Sequence, residues 1–226
     1  MSQTVATMTR DRMPCAYCCE PASTVDHVPP KQLFTPPLPS DLITVPACTA
    51  CNNGASDDDE VFRNELSIMG GSFGESRTAA ERLQPTLRGI RRNKKTLRRM
   101  VLGARPVARY SAGGIYLGQG IAVPAPPAAR CRVLTRIVRG LFWHHYGYSI
   151  DANHARLVFI DKTKPAWNES VSLIWAMPHQ RVLVGDGSTF QYVYGRADDD
   201  PGFSFWLMIF FKGPAEQIIL GQTQRD

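Results

Sequence analysis

Two Cys-x-x-Cys pairs constrain the fold of this 226-residue chain more than any other feature. Cys15 and Cys18 form the first pair, and Cys48 and Cys51 form the second. Four thiolates arranged as two knuckles are typical of a closed tetrahedral zinc site. An ordinary zinc ribbon has about 15–20 residues between its pairs, whereas 29 residues lie between Cys18 and Cys48. We therefore expect a structural zinc ion that closes an unusually long loop. Cys19 adjoins a ligand, but the spacing favours Cys18.

The loop between the pairs contains residues suited to catalysis. Asp26 and His27 are adjacent within it, and Asn52 and Asn53 directly follow the second pair. An imidazole has an unperturbed pKa of about 6.5, close to the best value for a general base at neutral pH. Asp26 offers a carboxylate and Asn52 a carbonyl oxygen, and together they can hold one Mg²⁺ or Mn²⁺. Asn53 is the alternative to Asn52. We expect His27 to activate water for phosphodiester hydrolysis.

The chain resembles the HNH, or ββα-metal, endonucleases, and among them the zinc-containing endonuclease VII type, in Cys15-x-x-Cys18, Asp26-His27, Cys48-x-x-Cys51 and Asn52. The resemblance covers about residues 15–66. It implies that His27 is the general base and that the four cysteines bind structural zinc. It also implies that Asp26 and Asn52 bind the catalytic metal.

The helix expected after the second pair departs from the family pattern. Many HNH enzymes place a third histidine or asparagine there, whereas this chain has Asp57-Asp58-Asp59-Glu60. Asp58 or Asp59 can supply a further metal ligand, and we name Asp59 as the candidate. The alternative is that these acidic residues stabilise the positive end of the helix dipole.

Charge is distributed unevenly along the chain. Residues 1–60 contain three Lys/Arg and eight Asp/Glu, residues 61–150 contain sixteen and three, and residues 151–226 contain seven and nine. The overall charge of +6 therefore combines −5, +13 and −2 in the three parts. We expect the basic middle part to attract a phosphate backbone to the acidic first part.

Eleven basic residues are candidate nucleic-acid contacts, most of them in a basic segment at about residues 86–139. The stretch from Arg88 to Arg99 contains no acidic residue, so it lacks the i,i+4 ion pairs that stabilise an ordinary exposed helix. A solvated helix surface is the alternative interpretation. The candidates are Lys31, Arg88, Arg91, Arg92, Lys94, Lys95, Arg98, Arg99, Arg132, Arg136 and Arg139.

The pattern of apolar and turn residues predicts an α+β protein. Residues 1–14 should be a flexible tail, and residues 15–70 a zinc-stapled ββα-metal (HNH) module. Residues 71–226 should form an α+β body that combines the helical basic segment with a mainly antiparallel sheet. In the module we expect strands at 23–28 and 42–45 and a helix at 57–69, followed by a hinge at 70–74.

In the body, the sequence predicts a helical stretch at 76–100 that Pro85 and Gly89 divide. A hairpin should span residues 105–123 and turn at Gly113-Gly114, followed by a stiff linker at 124–129. Residues 130–146 should form a helix with one apolar face. Strands are expected at 155–160, 171–177, 189–196, 203–211 and 216–220, with 203–211 buried on both faces. His144-His145 lacks an acidic partner that would complete a metal site.

The composition also indicates the cellular compartment in which the protein is expected. No stretch reaches the 18 apolar residues of a membrane-spanning helix, and the first residues lack the apolar core of a secretory signal. Six cysteines in such a chain are typical of a reducing compartment. We therefore expect a cytoplasmic protein, associated with the nucleoid if its source is bacterial or phage.

The leading hypothesis is a metal-dependent HNH endonuclease that hydrolyses phosphodiester bonds of DNA, with structural Zn²⁺ and catalytic Mg²⁺ or Mn²⁺. A homodimer would be needed for simultaneous cleavage of both strands. One alternative is a zinc-dependent nucleic-acid-binding protein without catalysis. Another is an RNA-directed nuclease that acts as a toxin or defence effector. A ligand-sensing role of the C-terminal body is a further possibility.

Overall fold

The computed structural model describes residues 13–71, 77–111, 113–123, 126–159, 172, 174, 176–198, 200, 202–213 and 217–224. Within these residues the chain is a mixed α+β protein whose strands form three antiparallel sheets. Most of the predicted N-terminal tail lies outside the described residues. Among the helices that are described, none has the length and apolar character needed to cross a membrane.

The N-terminal part has the strand–strand–helix order expected around the cysteine pairs. Strand β1 (Thr24–Val28) pairs antiparallel with β2 (Ile43–Ala47). The short helix α1 (Thr49–Asn53) follows, and then α2 (Ser56–Gly71). The first cysteine knuckle is joined to this hairpin because the backbone N–H of Ala16 donates to the Pro46 carbonyl at 2.8 Å. Both cysteine pairs therefore lie at the same end of one small hairpin.

The basic segment forms two helices and a hairpin. Helix α3 (Arg77–Arg92) continues through Pro85 and Gly89, so the predicted division there is wrong. Burial of Thr86 and Ile90 on α3 outweighs the local cost of the proline. The chain breaks instead at Asn93, whose side chain accepts the Thr96 N–H at 3.1 Å and caps α4 (Lys94–Gly103).

The predicted hairpin after α4 is confirmed. Strand β3 (Arg105–Tyr110) pairs antiparallel with β4 (Tyr116–Ala122). The predicted hinge at 70–74 is wrong at its start, because Gly70 and Gly71 continue α2. Its remaining residues lie outside the described part of the chain.

Helix α5 (Pro127–Tyr146) lies between the N-terminal hairpin and the C-terminal sheet. It ends at Gly147, whose φ of 76° allows its N–H to bond the Trp143 carbonyl. Helix α5 packs closely against β1 at Gly140, because an added Cβ there would lie only 2.6 Å from Val28 Cγ2. The expected apolar face is confirmed as a set of buried side chains: Val133, Leu134, Ile137, Val138, Leu141 and Phe142.

The C-terminal sheet has the strand order β5-β9-β8-β7-β6 and is antiparallel throughout. Its strands are β5 (Ala155–Phe159), β6 (Gln180–Val184), β7 (Phe190–Arg196), β8 (Ser204–Phe210) and β9 (Gln217–Thr223). The predicted strand at 171–177 is wrong, because its described positions 172, 174 and 176 are helical. A short apolar run fits a buried helix as well as a strand.

The core is continuous from the N-terminal hairpin to the C-terminal sheet. One cluster of buried side chains includes Val45 on β2, Leu134 on α5 and Trp206 on β8. A second cluster, including Val193 and Leu207, covers the opposite face of the sheet. The central strand β8 is thus buried on both faces, as predicted. The sheet supports α5, and α5 in turn supports the hairpin between the cysteine pairs.

His145 belongs to an aromatic cluster at the end of α5. Its ring centroid lies 3.9 Å from that of Tyr194 and 5.7 Å from that of Trp206. Its Nε2 is 2.8 Å from the Tyr192 hydroxyl. Burial, together with the nearby His144, lowers the pKa of His145 to about 4. The imidazole is therefore neutral in the folded protein at pH 7, and it is partly buried among aromatic side chains.

Acidification should destabilise the protein through His145. Because its folded pKa of about 4 lies below the unfolded value of about 6.5, protons bind the unfolded chain more readily. The free energy of unfolding should be unaffected by His145 above pH 6.5 and should fall progressively as the pH is lowered towards 4. Urea unfolding at several pH values should show this slope in the native protein and a flatter one in His145→Gln. An identical slope in both proteins would contradict this assignment.

Candidate functional site

The four predicted cysteines converge at one point. The sulfur atoms of Cys15, Cys18, Cys48 and Cys51 all lie within 4.8 Å of one another, and those of Cys18 and Cys48 are 3.6 Å apart. Tetrahedral zinc with Zn–S bonds of about 2.3 Å requires sulfurs about 3.8 Å apart. The cluster can therefore hold a structural metal such as zinc.

In each knuckle a backbone N–H donates to the sulfur of the first cysteine. The backbone N–H of Tyr17 donates to the Cys15 sulfur, and that of Cys51 donates to the Cys48 sulfur, both at 3.4 Å. The Cys51 N–H lowers the pKa of Cys48 to about 7, which favours the thiolate that a metal requires. Cys19 lies next to the first knuckle with a φ of 63° and is exposed. As expected, it is not one of the four.

Asp26 lies on β1 and is buried, with three hydrogen-bond or ion-pair partners. Its Oδ1 accepts the backbone N–H of His27 at 2.9 Å. Its Oδ2 accepts the Tyr17 hydroxyl at 2.7 Å and lies 3.4 Å from Arg136 Nε. Burial and the Asp26 carboxylate raise the pKa of Tyr17 far above its usual range, so the phenol remains a donor. The first cysteine knuckle thereby orients Asp26.

Arg136 joins two carboxylates from different elements. Its Nη2 donates to both oxygens of Asp59 on α2, each at 2.8 Å, while its Nε faces Asp26 on β1. Burial raises the pKa of Asp59, and the Arg136 charge opposes that effect. Asp59, the candidate third metal ligand, is therefore engaged by an arginine of α5. We call Asp26, Arg136 and Asp59 the ion triad.

The His27 side chain is half-buried, and its imidazole has no hydrogen-bond partner among the described residues. Burial and the neighbouring Lys31 charge lower its pKa, and Asp26 partly opposes them. The imidazole is accordingly uncharged at neutral pH. A neutral imidazole with a free nitrogen can accept a proton from water.

Asn52 connects α1 to β1. Its amide nitrogen donates to Thr24 Oγ1 at 3.0 Å and to the Val25 carbonyl at 3.1 Å. Its carbonyl oxygen accepts no hydrogen bond from the part of the chain that is described. Asn53, the alternative, lies next to it at the end of α1, where its backbone carbonyl accepts from Ser56 Oγ at 3.0 Å.

The residues expected to bind the catalytic metal have few free acceptor positions left for it. A carboxylate has about four acceptor positions, and three donors already face Asp26. One position on Asp26 and the Asn52 carbonyl oxygen remain. Two oxygen ligands suit Mg²⁺ or Mn²⁺, which keep several waters and bind substrate phosphate. Among the described residues, the clustered groups that could hold a metal ion are the four cysteines, so a catalytic Mg²⁺ or Mn²⁺ at Asp26 and Asn52 stays a prediction.

The expected nucleic-acid contacts divide into two groups. Arg132 forms a bidentate pair with Asp58 at 2.7 Å, and Arg139 donates to the carbonyls of Ile150 and Tyr17. Together with Arg136, these side chains support the fold. Lys31 is exposed beside His27. The exposed group without ion pairs to described residues is Arg88, Arg91, Arg92, Lys94, Lys95, Arg98 and Arg99.

Two further arginines, which the sequence did not single out, lie beside the turn that contains Lys31. Arg63 Nη1 donates to Gln32 Oε1 at 2.9 Å, and Arg82 Nη2 donates to the Gln32 carbonyl. Burial lowers the pKa of both. Neither forms an ion pair within the described residues. Both contact Gln32 and not an acidic side chain, and no motif in the sequence pointed to them.

Comparison of the chain with models of known families, with curated proteins and with solved structures found no match. The resemblance to HNH endonucleases thus depends on the motif residues and their spacing alone.

Zinc content should depend on the four clustered cysteines and not on their neighbour. Cys48→Ser should lower bound zinc well below one ion per chain and weaken the fold, because the cluster joins both knuckles to β1 and β2. Cys19→Ser, adjacent to a ligand but exposed, should retain one zinc. Elemental analysis of the purified proteins measures this. Full zinc in Cys48→Ser would contradict the cluster.

Removing Arg136 should destabilise the protein strongly. Arg136→Met leaves Asp26 and Asp59 buried without their cation, at a cost of about 3–5 kcal/mol in the free energy of unfolding. The matched change Arg132→Met removes an ion pair that is mostly exposed, so we expect little effect. Urea unfolding compares the two. Equal stability of both variants would contradict a structural role of the ion triad.

Proposed function

We propose that this protein is a metal-dependent endonuclease of the HNH type that hydrolyses phosphodiester bonds in DNA. The observation that supports it most is the position of the four-cysteine cluster. It joins the knuckle before β1 to the knuckle before α1, so that Asp26 and His27 on one element and Asn52 on the other belong to one small hairpin unit. A zinc knuckle that only stabilises a fold does not require an aspartate, a histidine and an asparagine beside it.

In the proposed reaction the residues have separate roles. His27, uncharged and half-buried, accepts a proton from the attacking water. Asp26 and Asn52 hold Mg²⁺ or Mn²⁺, with Asp26 oriented by Tyr17 and Arg136. The bound cation would supply positive charge to stabilise the phosphate and the departing oxygen. Lys31, whose charge already acts on His27, would contact the phosphate.

The exposed basic residues of α3 and α4 support the choice of nucleic acid as substrate. Asn93, between these helices, donates to Glu60 near the start of α2 at 3.4 Å. This contact brings the basic helices next to the module that contains the cysteines. Unbalanced positive charge of this kind is the usual footprint of phosphate contact. The basic helices therefore supply the affinity for DNA that the acidic module lacks.

A second candidate function is a zinc-dependent nucleic-acid-binding protein without catalysis. The observation that favours it is the ion triad, because a cation already neutralises Asp26 and Asp59. In that case the basic helices would have the same role, and Asp26 would serve only to orient β1. Cleavage assays separate the two candidates.

Replacing His27 should abolish cleavage without affecting the fold. His27→Ala removes the proposed base, while the zinc cluster and the basic helices remain. Cleavage of end-labelled DNA with Mg²⁺ or Mn²⁺ should fall by about two orders of magnitude or more. Zinc content and DNA affinity should be unchanged. The control, His179→Ala, changes an exposed histidine of another region and should cleave normally. Undiminished cutting by His27→Ala would refute the mechanism.

Neutralising part of the basic helices should weaken DNA binding and its dependence on salt. Changing Arg91, Arg92 and Lys94 together to Gln removes up to three phosphate contacts. The slope of log K against log salt should then become shallower by about two to three units. Arg77→Gln, an exposed arginine paired with Glu81, is the control and should keep the slope. An unchanged slope in the triple variant would exclude these helices as the binding surface.

A further inference from the structure

The β3–β4 hairpin has two chemically different faces. Its strands pair with each other and, within the described residues, with no other strand. Partners across an antiparallel pair share a face. One face therefore contains Arg105, Val107 and Arg109, opposite Ala122, Gly120 and Gly118. The other contains Pro106, Ala108 and Tyr110, opposite Ile121, Gln119 and, beyond a shift in register after Arg109, Tyr116.

The second face is apolar, aromatic and exposed. Tyr110 is 62% exposed, Tyr116 55% and Ile121 74%. The two tyrosine rings meet edge to face, with centroids 5.7 Å apart. Ser111 fixes the turn between them, because its hydroxyl accepts the Ile115 N–H at 3.0 Å. An exposed surface of this composition is typical of an interaction site.

The surroundings of this face are strongly cationic. Between Glu81 and Asp151 the sequence contains fourteen Lys/Arg and no Asp or Glu. Helix α4, with its exposed basic residues, leads directly into β3. On the hairpin's other face, the stem of Arg109 lies over Gly120, where an added Cβ would come within 2.7 Å of Arg109 Cδ. The partner must therefore combine negative charge with flat apolar surface.

We propose that the face of Tyr110, Tyr116 and Ile121 is a stacking platform for unpaired bases of a nucleic acid. The inference rests on the proposed function, and it names the form of substrate. A paired duplex presents mainly phosphates to a flat surface, whereas an unpaired strand exposes base faces that stack on tyrosine. The basic helices contact the phosphates, and the hairpin selects single-stranded regions. The protein binds an unpaired strand more tightly than a duplex of equal length.

The test measures binding alone, so that it is independent of cleavage. Zinc-loaded His27→Ala protein without added Mg²⁺ is titrated into a labelled single-stranded oligonucleotide and a duplex of equal length, with fluorescence anisotropy as the readout. Changing Tyr110 and Tyr116 together to Ala should weaken single-strand binding about tenfold or more. Duplex binding should change less than about twofold, and the salt slope should not change, because no phosphate contact is lost.

Two control variants keep the result interpretable. Changing both tyrosines to Phe retains the rings and should retain single-strand affinity. Leu102→Ala removes an apolar side chain that is 76% exposed on α4, outside the platform, and should have no effect. Circular dichroism and zinc content establish that each variant is folded.

The proposal is overturned if the Tyr→Ala pair binds single strands normally, or if it loses single-strand and duplex affinity equally. It is also overturned if that pair instead alters self-association in sedimentation, or binding to phosphatidylserine vesicles, with DNA binding intact. If the native protein does not cleave DNA, the endonuclease proposal is refuted, but the stacking-platform proposal is not affected. If the native protein cleaves DNA but its single-strand binding does not depend on the tyrosines, the endonuclease proposal stands and the stacking platform is refuted.

Discussion

The buried guanidinium of Arg136 is the interaction on which the arrangement of the site depends. It lies between Asp26 on β1 and Asp59 on α2, and it belongs to α5, the helix that packs against the C-terminal sheet. Burying three charges is costly unless they satisfy one another, so the triad is stable only when all three elements are in place. The four-cysteine cluster fixes the two knuckles beside the same hairpin, and Tyr17 of the first knuckle donates to Asp26. Between these two constraints, β1 has little freedom to move His27.

The same constraint shapes the chemistry that is open to the site. The Arg136 cation beside Asp26 repels a divalent metal at that position. Any Mg²⁺ or Mn²⁺ held there would depend heavily on water and substrate phosphate for its remaining ligands. DNA bound by the basic helices would raise the local concentration of such phosphates. Metal and substrate would then bind cooperatively, which is how an acidic module and a basic body can form one functional unit.

Features that depend on short-range spacing could be predicted from the sequence. The cysteine cluster, the apolar face of α5 and the β3–β4 hairpin follow from patterns within a few residues. The ion triad could not be predicted, because Arg136 meets Asp26 from a position 110 residues away. Basic periodicity alone therefore grouped Arg136 and Arg139 with the surface arginines. The wrong strand at 171–177 has a similar cause, since packing decides whether a short apolar run is helical.

We propose that the cysteine-stapled hairpin cuts nucleic acid as well as supporting its binding. The most direct measurement incubates zinc-loaded native protein with supercoiled plasmid, with and without Mg²⁺ or Mn²⁺, and follows conversion to nicked circles. We expect nicking that requires the added metal while the zinc content stays constant. A folded, zinc-loaded protein that binds the plasmid but leaves it supercoiled under every metal condition would contradict the claim, and would favour the non-catalytic binding protein.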